Sequence, residues 1–139
     1  MDMRRPVRTA LSAALIAVGG TSFAATGTAS VDQAFKYPIA NIPGKSISAF
    51  VVTYKPGGKS HPHSHSHSAF VTAYVLLGAV RTQVDRGAVK IYHAGESWTE
   101  NPGAHHDLSE NASTTRPAKV LAIFVADSDD TNLTTMDKN

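Results

Sequence analysis

From Ile39 to Ala126 the chain alternates short runs rich in β-branched and aromatic residues with clusters of Gly, Pro, Asn and Asp. This is the pattern of short, half-buried strands joined by tight turns, and no segment carries a helical period. The runs predict strands at Ser46–Tyr54, Ala69–Leu77, Val80–Asp85, Val89–His93, Glu96–Glu100, His106–Asn111 and Lys119–Ala126. Turn signals separate them at Pro56-Gly57-Gly58, Leu77-Gly78, Asp85-Arg86-Gly87, Ala94-Gly95, Asn101-Pro102-Gly103 and Arg116-Pro117. Several short strands at this spacing predict an all-β sandwich or barrel.

The pattern fails at both ends. Arg4, Arg5 and Arg8 precede an apolar stretch, Ala10 to Gly20, and Ser22-Phe23-Ala24 offers small residues for a cleavage site after Ala24. That layout predicts an export signal over residues 1–24 and a periplasmic or secreted mature protein. A membrane anchor fits less well, because a span needs about 20 apolar residues and this run has about half that. Residues 25–38 begin small and polar and become mixed, which predicts a flexible leader or an arm lying along the barrel. The barrel itself is expected over 39–126. Residues 127–139, rich in Asp, Ser, Thr and Asn, predict a frayed tail or surface strap with no assigned chemistry.

Charge narrows the partners. The whole chain has 13 Lys plus Arg and 11 Asp plus Glu. Removing residues 1–24 takes away three Arg and Asp2, leaving 10 of each sign. A nearly neutral chain with scattered basic residues argues against nucleic acid as a partner. The expected partner is a small-molecule ligand, with no membrane contact once the signal is removed. The absence of cysteine excludes disulfides, thiolate metal ligands and an acylated lipoprotein anchor.

Histidines carry the chemistry. Four of the seven lie in His61-Pro-His63-Ser-His65-Ser-His67. Alternation puts all four on one side of any extended segment, where two imidazoles can meet one ion at about 2.0 to 2.2 Å. A His-rich loop can also collect metal without specificity, so the surroundings decide.

The stretch from Pro56 to Gly78, PGGKSHPHSHSHSAFVTAYVLLG, resembles the first motif of the cupins: a Pro-Gly turn, His-x-His, and a strand ending in Tyr-Val-Leu-x-Gly. Gly95 to Asn111 resembles the second motif, with an early Gly, the Pro102-Gly103 turn, His106 three residues after that Gly, and a later Asn. The two motifs and their intervening strands cover about residues 46–126. The resemblance implies a jelly-roll barrel, the cupin double-stranded β-helix, with one divalent Fe, Mn, Ni or Zn near one mouth. It also commonly brings a homodimer.

Two departures stand out. The cupin pattern has a ligand Glu seven residues before the closing Gly, and here that position is Val71. The register of His-x-His is also open, between His63 with His65 and His65 with His67. The first is favoured because Ser66 to Ala69 then forms a small-residue turn. Asn111 falls one residue late, which implies a bulge and keeps His105 as a weaker candidate beside His106.

Elsewhere, Phe50, Tyr74, Trp98 and Phe124 are expected to fill the core or line the mouth. Glu96 and Glu100 are expected to face water, and His93 to be an ordinary surface or partly buried histidine. The strand parity of Arg81 and Gln83 is left open. Because cupins include dioxygenases, isomerases, decarboxylases and non-enzymatic binders, the resemblance underdetermines the reaction. The reading is an exported metal-dependent enzyme, dioxygenase- or isomerase-like, acting on a small oxygen-rich or aromatic molecule. The alternative is a non-catalytic periplasmic small-molecule or metal-binding protein.

Overall fold

A computed structural model describes residues 29–138. The expected export signal lies outside these residues. Among the described residues there are ten strands and no helix: β1 Ala29–Pro38, β2 Lys45–Tyr54, β3 His63–His65, β4 Phe70–Leu77, β5 Ala79–Val84, β6 Lys90–His93, β7 Ser97–Glu100, β8 His105–Asn111, β9 Ala118–Asp127 and β10 Thr134–Met136. They form two five-stranded antiparallel sheets, ordered β1-β2-β9-β4-β7 and β10-β3-β8-β5-β6. Seven of the ten coincide with the predicted runs to within a residue or so.

Alternation sets the interior. On β4 the inward positions are Val71, Ala73 and Val75; on β9 they are Ala118, Val120, Phe124 and Ala126. Val71, Val75 and Val80 are the largest side chains that are fully buried. Each contributes about 1.5 to 3 kcal/mol through its removal from water. One apolar cluster gathers Tyr54, Ala73, Val75, Val80, Trp98 and Val120. A second joins Ala69, Val71, Phe124 and Ala126, with Phe50 and Leu133 against it. Tyr74 departs from the expected core role: it shares the outward parity of Phe70 and Leu76 and is 42% exposed.

At both ends of the described residues the chain takes the arm and strap alternatives, while residues 25–28 of the expected leader lie outside the described residues. Residues 29–38 are a full strand along β2, so the barrel extends beyond 39–126 at this end. A bulge between Gln33 and Phe35 reverses the parity of β1, turning Phe35 and Tyr37 outward, where their rings stack at 5.6 Å. In the tail, β10 pairs with β3, and Leu133 packs on the second cluster. Asp130 accepts hydrogen bonds from the Ser66 and Ser68 hydroxyls. The Ser66 amide donates to the Leu133 carbonyl at 3.0 Å and the Asp137 amide to that of Pro62 at 3.1 Å. The tail is thus a surface strap, fastened chiefly by specific hydrogen bonds, as its polar composition allows.

Candidate metal centre

The first motif contributes a strand of three residues. Pro62 precedes it, and the turn from Ser66 to Ala69, closed by a bond from the Ala69 amide to the Ser66 carbonyl at 3.0 Å, ends it. The second motif folds onto the first. The Gly103 amide donates to the Ser66 carbonyl at 3.0 Å and the His65 amide to the Ala104 carbonyl at 2.9 Å. This stitching pairs His63 with His106 across β3 and β8.

On β8 the pairing with β5 shifts between Gln83 and Val84, whose partners are Leu108 and His106. The bulge at Asp107 lets both His106 and Asn111 point inward although they are five residues apart. The late position of Asn111 has the same origin. His105 points the other way, its ring nitrogens 3.0 Å from Asp107 and 2.9 Å from Asp137.

His63, His65 and His106 each place one ring nitrogen within 4.8 Å of the other two. Ring centroids lie 5.0 Å apart for His63 and His65, 5.1 Å for His63 and His106, and 6.5 Å for His65 and His106. His63 Nδ1 lies 2.8 Å from the His61 carbonyl. A carbonyl only accepts, so this nitrogen carries the proton and Nε2 presents its lone pair. His65 Nδ1 meets Thr134 Oγ1 of the tail strand at 3.3 Å.

His67 stays outside this group, exposed on the Ser66 to Ala69 turn. Its ring lies over Gly103, where a Cβ would come within 2.4 Å of Nδ1 and where φ is +78°. The backbone conformation favours glycine there, and any larger residue would also displace the exposed His67 ring.

A carboxylate stands beside the histidines. Glu100 is 2% exposed, which corrects the expectation that it faces water. Trp98 Nε1 donates to its Oε1 at 2.9 Å. Its Oε2 is 2.9 Å from His65 Nε2, and Oε1 is 3.4 Å from His106 Nδ1. Despite that approach, Oε2 receives no aligned hydrogen bond. The signal for Glu100 was present: Trp98 was expected in the core, and on a strand the residue two positions on shares its face. Thr82 was also missed. It alternates with Val80 and Val84, is buried, and its Oγ1 lies 2.5 Å from His106 Nε2. Arg81 instead turns outward to pair with Glu110, and Gln83 donates to the Gly87 carbonyl at 2.8 Å.

Protonation suits metal binding. Burial depresses His63 below the ordinary histidine range and brings His106 down to about 4, so both are neutral near pH 7. Burial opposes ionisation of Glu100, but the contact with His65, the charges of His106 and His65 and the Trp98 bond outweigh it and lower its carboxyl to about 2. The arrangement is a negative oxygen beside the neutral imidazoles of His63 and His106, with an unsatisfied lone pair at Oε2. That donor set fits a borderline divalent ion. A depression of about 360 Å³ on the second sheet, lined by Gly57, Arg81, Ile91, Glu110 and Thr114 among others, includes none of these histidines.

Comparisons with known proteins agree with this geometry. A family model described as a cupin domain matches residues 50–124. No curated protein sequence matches the chain. Among solved structures, oxalate decarboxylase from Bacillus subtilis superposes with a TM-score of 0.62 at 18% identity, over 84% of this chain and 30% of that one. The chain thus spans less than a third of that enzyme. An RmlC-like cupin from Shewanella frigidimarina gives 0.58 at 16% identity, over 83% and 91%. A cupin 2 conserved barrel protein from Salinispora arenicola gives 0.55 at 17% identity, over 84% and 89%.

Proposed function

The chain belongs to the cupin family and folds as its jelly-roll barrel, and from that premise we propose that it is a metal-dependent enzyme acting on a small oxygen-rich or aromatic molecule. One observation carries the reading. Three histidines from two motifs converge at the end of the barrel with ring nitrogens within 4.8 Å of one another. His63, His65 and His106 would hold one Fe, Mn, Ni or Zn. When bound, such an ion supplies Lewis acidity, polarising a chelating substrate or lowering the pKa of a bound water toward about 7.

The protein's part is to prepare the site. His61 and Thr134 orient the His63 and His65 rings through Nδ1. Burial keeps His63 and His106 unprotonated, and Phe124 packs edge-on against His65 with centroids 5.2 Å apart, limiting water on that side. Similarity of fold to an oxalate decarboxylase makes a small carboxylic acid one substrate class to test, along with catechol-like and flavonol-like chelators. Residues 1–24 are read as an export signal, which mass spectrometry of the mature N-terminus would test. The outward Phe70, Tyr74 and Leu76 support a homodimer, to be tested by analytical ultracentrifugation.

The alternative is a non-catalytic metal or small-molecule binder, favoured by the two further histidines, His61 and His67, that flank the cluster. Elemental analysis of tag-free protein separates the two readings. A catalytic centre predicts about one ion per chain, lost in both His65→Ala and His106→Ala. Several ions of graded affinity, lost only when the whole histidine run is removed, would sink it in favour of the scavenger.

A further inference from the structure

We infer that Glu100 is a metal ligand of this chain, delivered from β7 to the place that a glutamate at position 71 of β4 would serve. The inference rests on the metal-binding reading and deepens it.

Register is the first ground. Val71 and Glu100 are direct partners in the antiparallel pair β4·β7, and both point inward, 1% and 2% exposed. Side chains directly opposite in such a pair start about 4.5 to 5.5 Å apart, which is within the reach of a glutamate side chain. A carboxylate rooted at either position can therefore occupy the same interior point. The first motif lacks its acid at 71, and the strand next to it carries one at the facing position.

Distance is the second. Ligand atoms each about 2.1 Å from one ion lie about 3.0 Å apart in octahedral geometry and about 3.4 Å apart in tetrahedral geometry. Oε2 is 2.9 Å from His65 Nε2, while Oε1, which Trp98 holds, is 3.4 Å from His106 Nδ1; Glu100 borders the three-histidine group without falling within its mutual 4.8 Å, so a shift of its side chain would accompany binding. A hydrogen-bonded pair would show a similar separation, but it would also align the N–H with the oxygen, and Oε2 receives no such bond.

Energetics is the third. Buried polar atoms are ordinarily hydrogen-bonded, and one without a partner is open to a ligand. Trp98 satisfies Oε1 at 2.9 Å, leaving Oε2 as the open lone pair. A divalent cation would take up that lone pair. Three imidazoles and one carboxylate would also leave the bound ion one unit less positive than three imidazoles alone.

The test is metal binding by the mature protein and three variants, Glu100→Gln, Val71→Glu/Glu100→Val and His106→Ala, each checked for a cooperative thermal transition. Affinity for Zn²⁺ is read by chelator competition, and geometry by the visible absorption of the Co²⁺ form. Glu100→Gln keeps the shape and an acceptor for Trp98 but loses the charge. Its affinity is expected to fall by more than about 100-fold, beyond the 10- to 100-fold typical of a group that only orients a ligand. The cross-strand exchange is expected to regain affinity to within about tenfold of wild type, with a Co²⁺ spectrum like the wild type's. Wild-type affinity and an unchanged spectrum in Glu100→Gln would overturn the inference while leaving the three-histidine centre standing. So would a loss in Glu100→Gln that a folded exchange variant does not restore, which would make Glu100 a positioning residue for His65. Failure of the wild type itself to bind would instead remove the metal reading.

Discussion

The two ends of the barrel interior are built on the same strands and differ in how their polar atoms are satisfied. Along β4, Val75 lies in the cluster of Tyr54, Val80, Trp98 and Val120, while Val71 lies with Phe124 beside His65. At the first end the one buried phenol is paired: Tyr54 Oη lies 2.7 Å from Ser109 Oγ and 3.2 Å from Ser60 Oγ. At the second, His63, His65 and His106 converge, Glu100 lies against His65 and His106, and its Oε2 is left without a hydrogen bond. One half satisfies its polar groups within the chain, and the other leaves an anionic oxygen open where the proposed ion would sit. Trp98 belongs to both ends, stacking with Tyr92 at 4.9 Å while donating to Glu100.

Trp98 is therefore where the contrast breaks first. Trp98→Ala removes a large buried ring and the only hydrogen bond to Glu100 found among the described contacts of its Oε1, so urea unfolding is expected to show a loss of about 3 to 5 kcal/mol. Metal affinity should fall with it. Stability lost without any change in metal affinity would mean that the two ends do not communicate through this residue.

Acid is expected to act on the histidine end alone. In the metal-free protein His106 is lowered to about 4 from 6.5, so between those values the unfolded chain binds more protons. The stability tied to neutral His106 is thus present above about pH 6.5 and is lost as pH falls toward 4, on the order of 1 to 3 kcal/mol. Glu100, lowered to about 2 from 4.5, adds a loss only below about pH 4.5. Thermal melts from pH 7.5 to 4 on wild type and His106→Ala measure this, and parallel curves for the two proteins would contradict it.

Val75→Ala probes the sealed end. Removing two methyl groups from a side chain 1% exposed is expected to cost about 2 kcal/mol by denaturant unfolding, with Zn²⁺ affinity unchanged. A parallel loss of affinity would merge the two ends into one. The smallest effect is expected at Thr134→Val, which removes the hydroxyl beside His65 Nδ1 and should cost about 1 kcal/mol and a modest fraction of metal affinity. Chelator competition is the measurement.

Much of this was legible in the chain. The strands of β2, β4 and β9 follow from period-two alternation of apolar residues, and a site shared by the two histidine motifs is what the cupin resemblance implied. Alternation was sufficient wherever one face is apolar. It was insufficient for β1 and β10, whose pairing depends on hydrogen bonds to distant strands, and for Tyr74, whose aromatic character said core while its parity said surface.

The sequence by itself determined that residues 39–126 are built of short strands and that the candidate ligands His63, His65, His67 and His106 fall in two stretches resembling the cupin motifs, because periodicity and turn residues act over a few positions. Only the tertiary structure decided that Glu100 lies opposite Val71, that Thr82 meets His106, that a bulge at Asp107 turns both His106 and Asn111 inward, and that the tail strand supports His65. Those are matters of register between strands far apart in sequence. A shift of one residue in pairing sends every side chain to the opposite face, and only the packed barrel selects among the shifts.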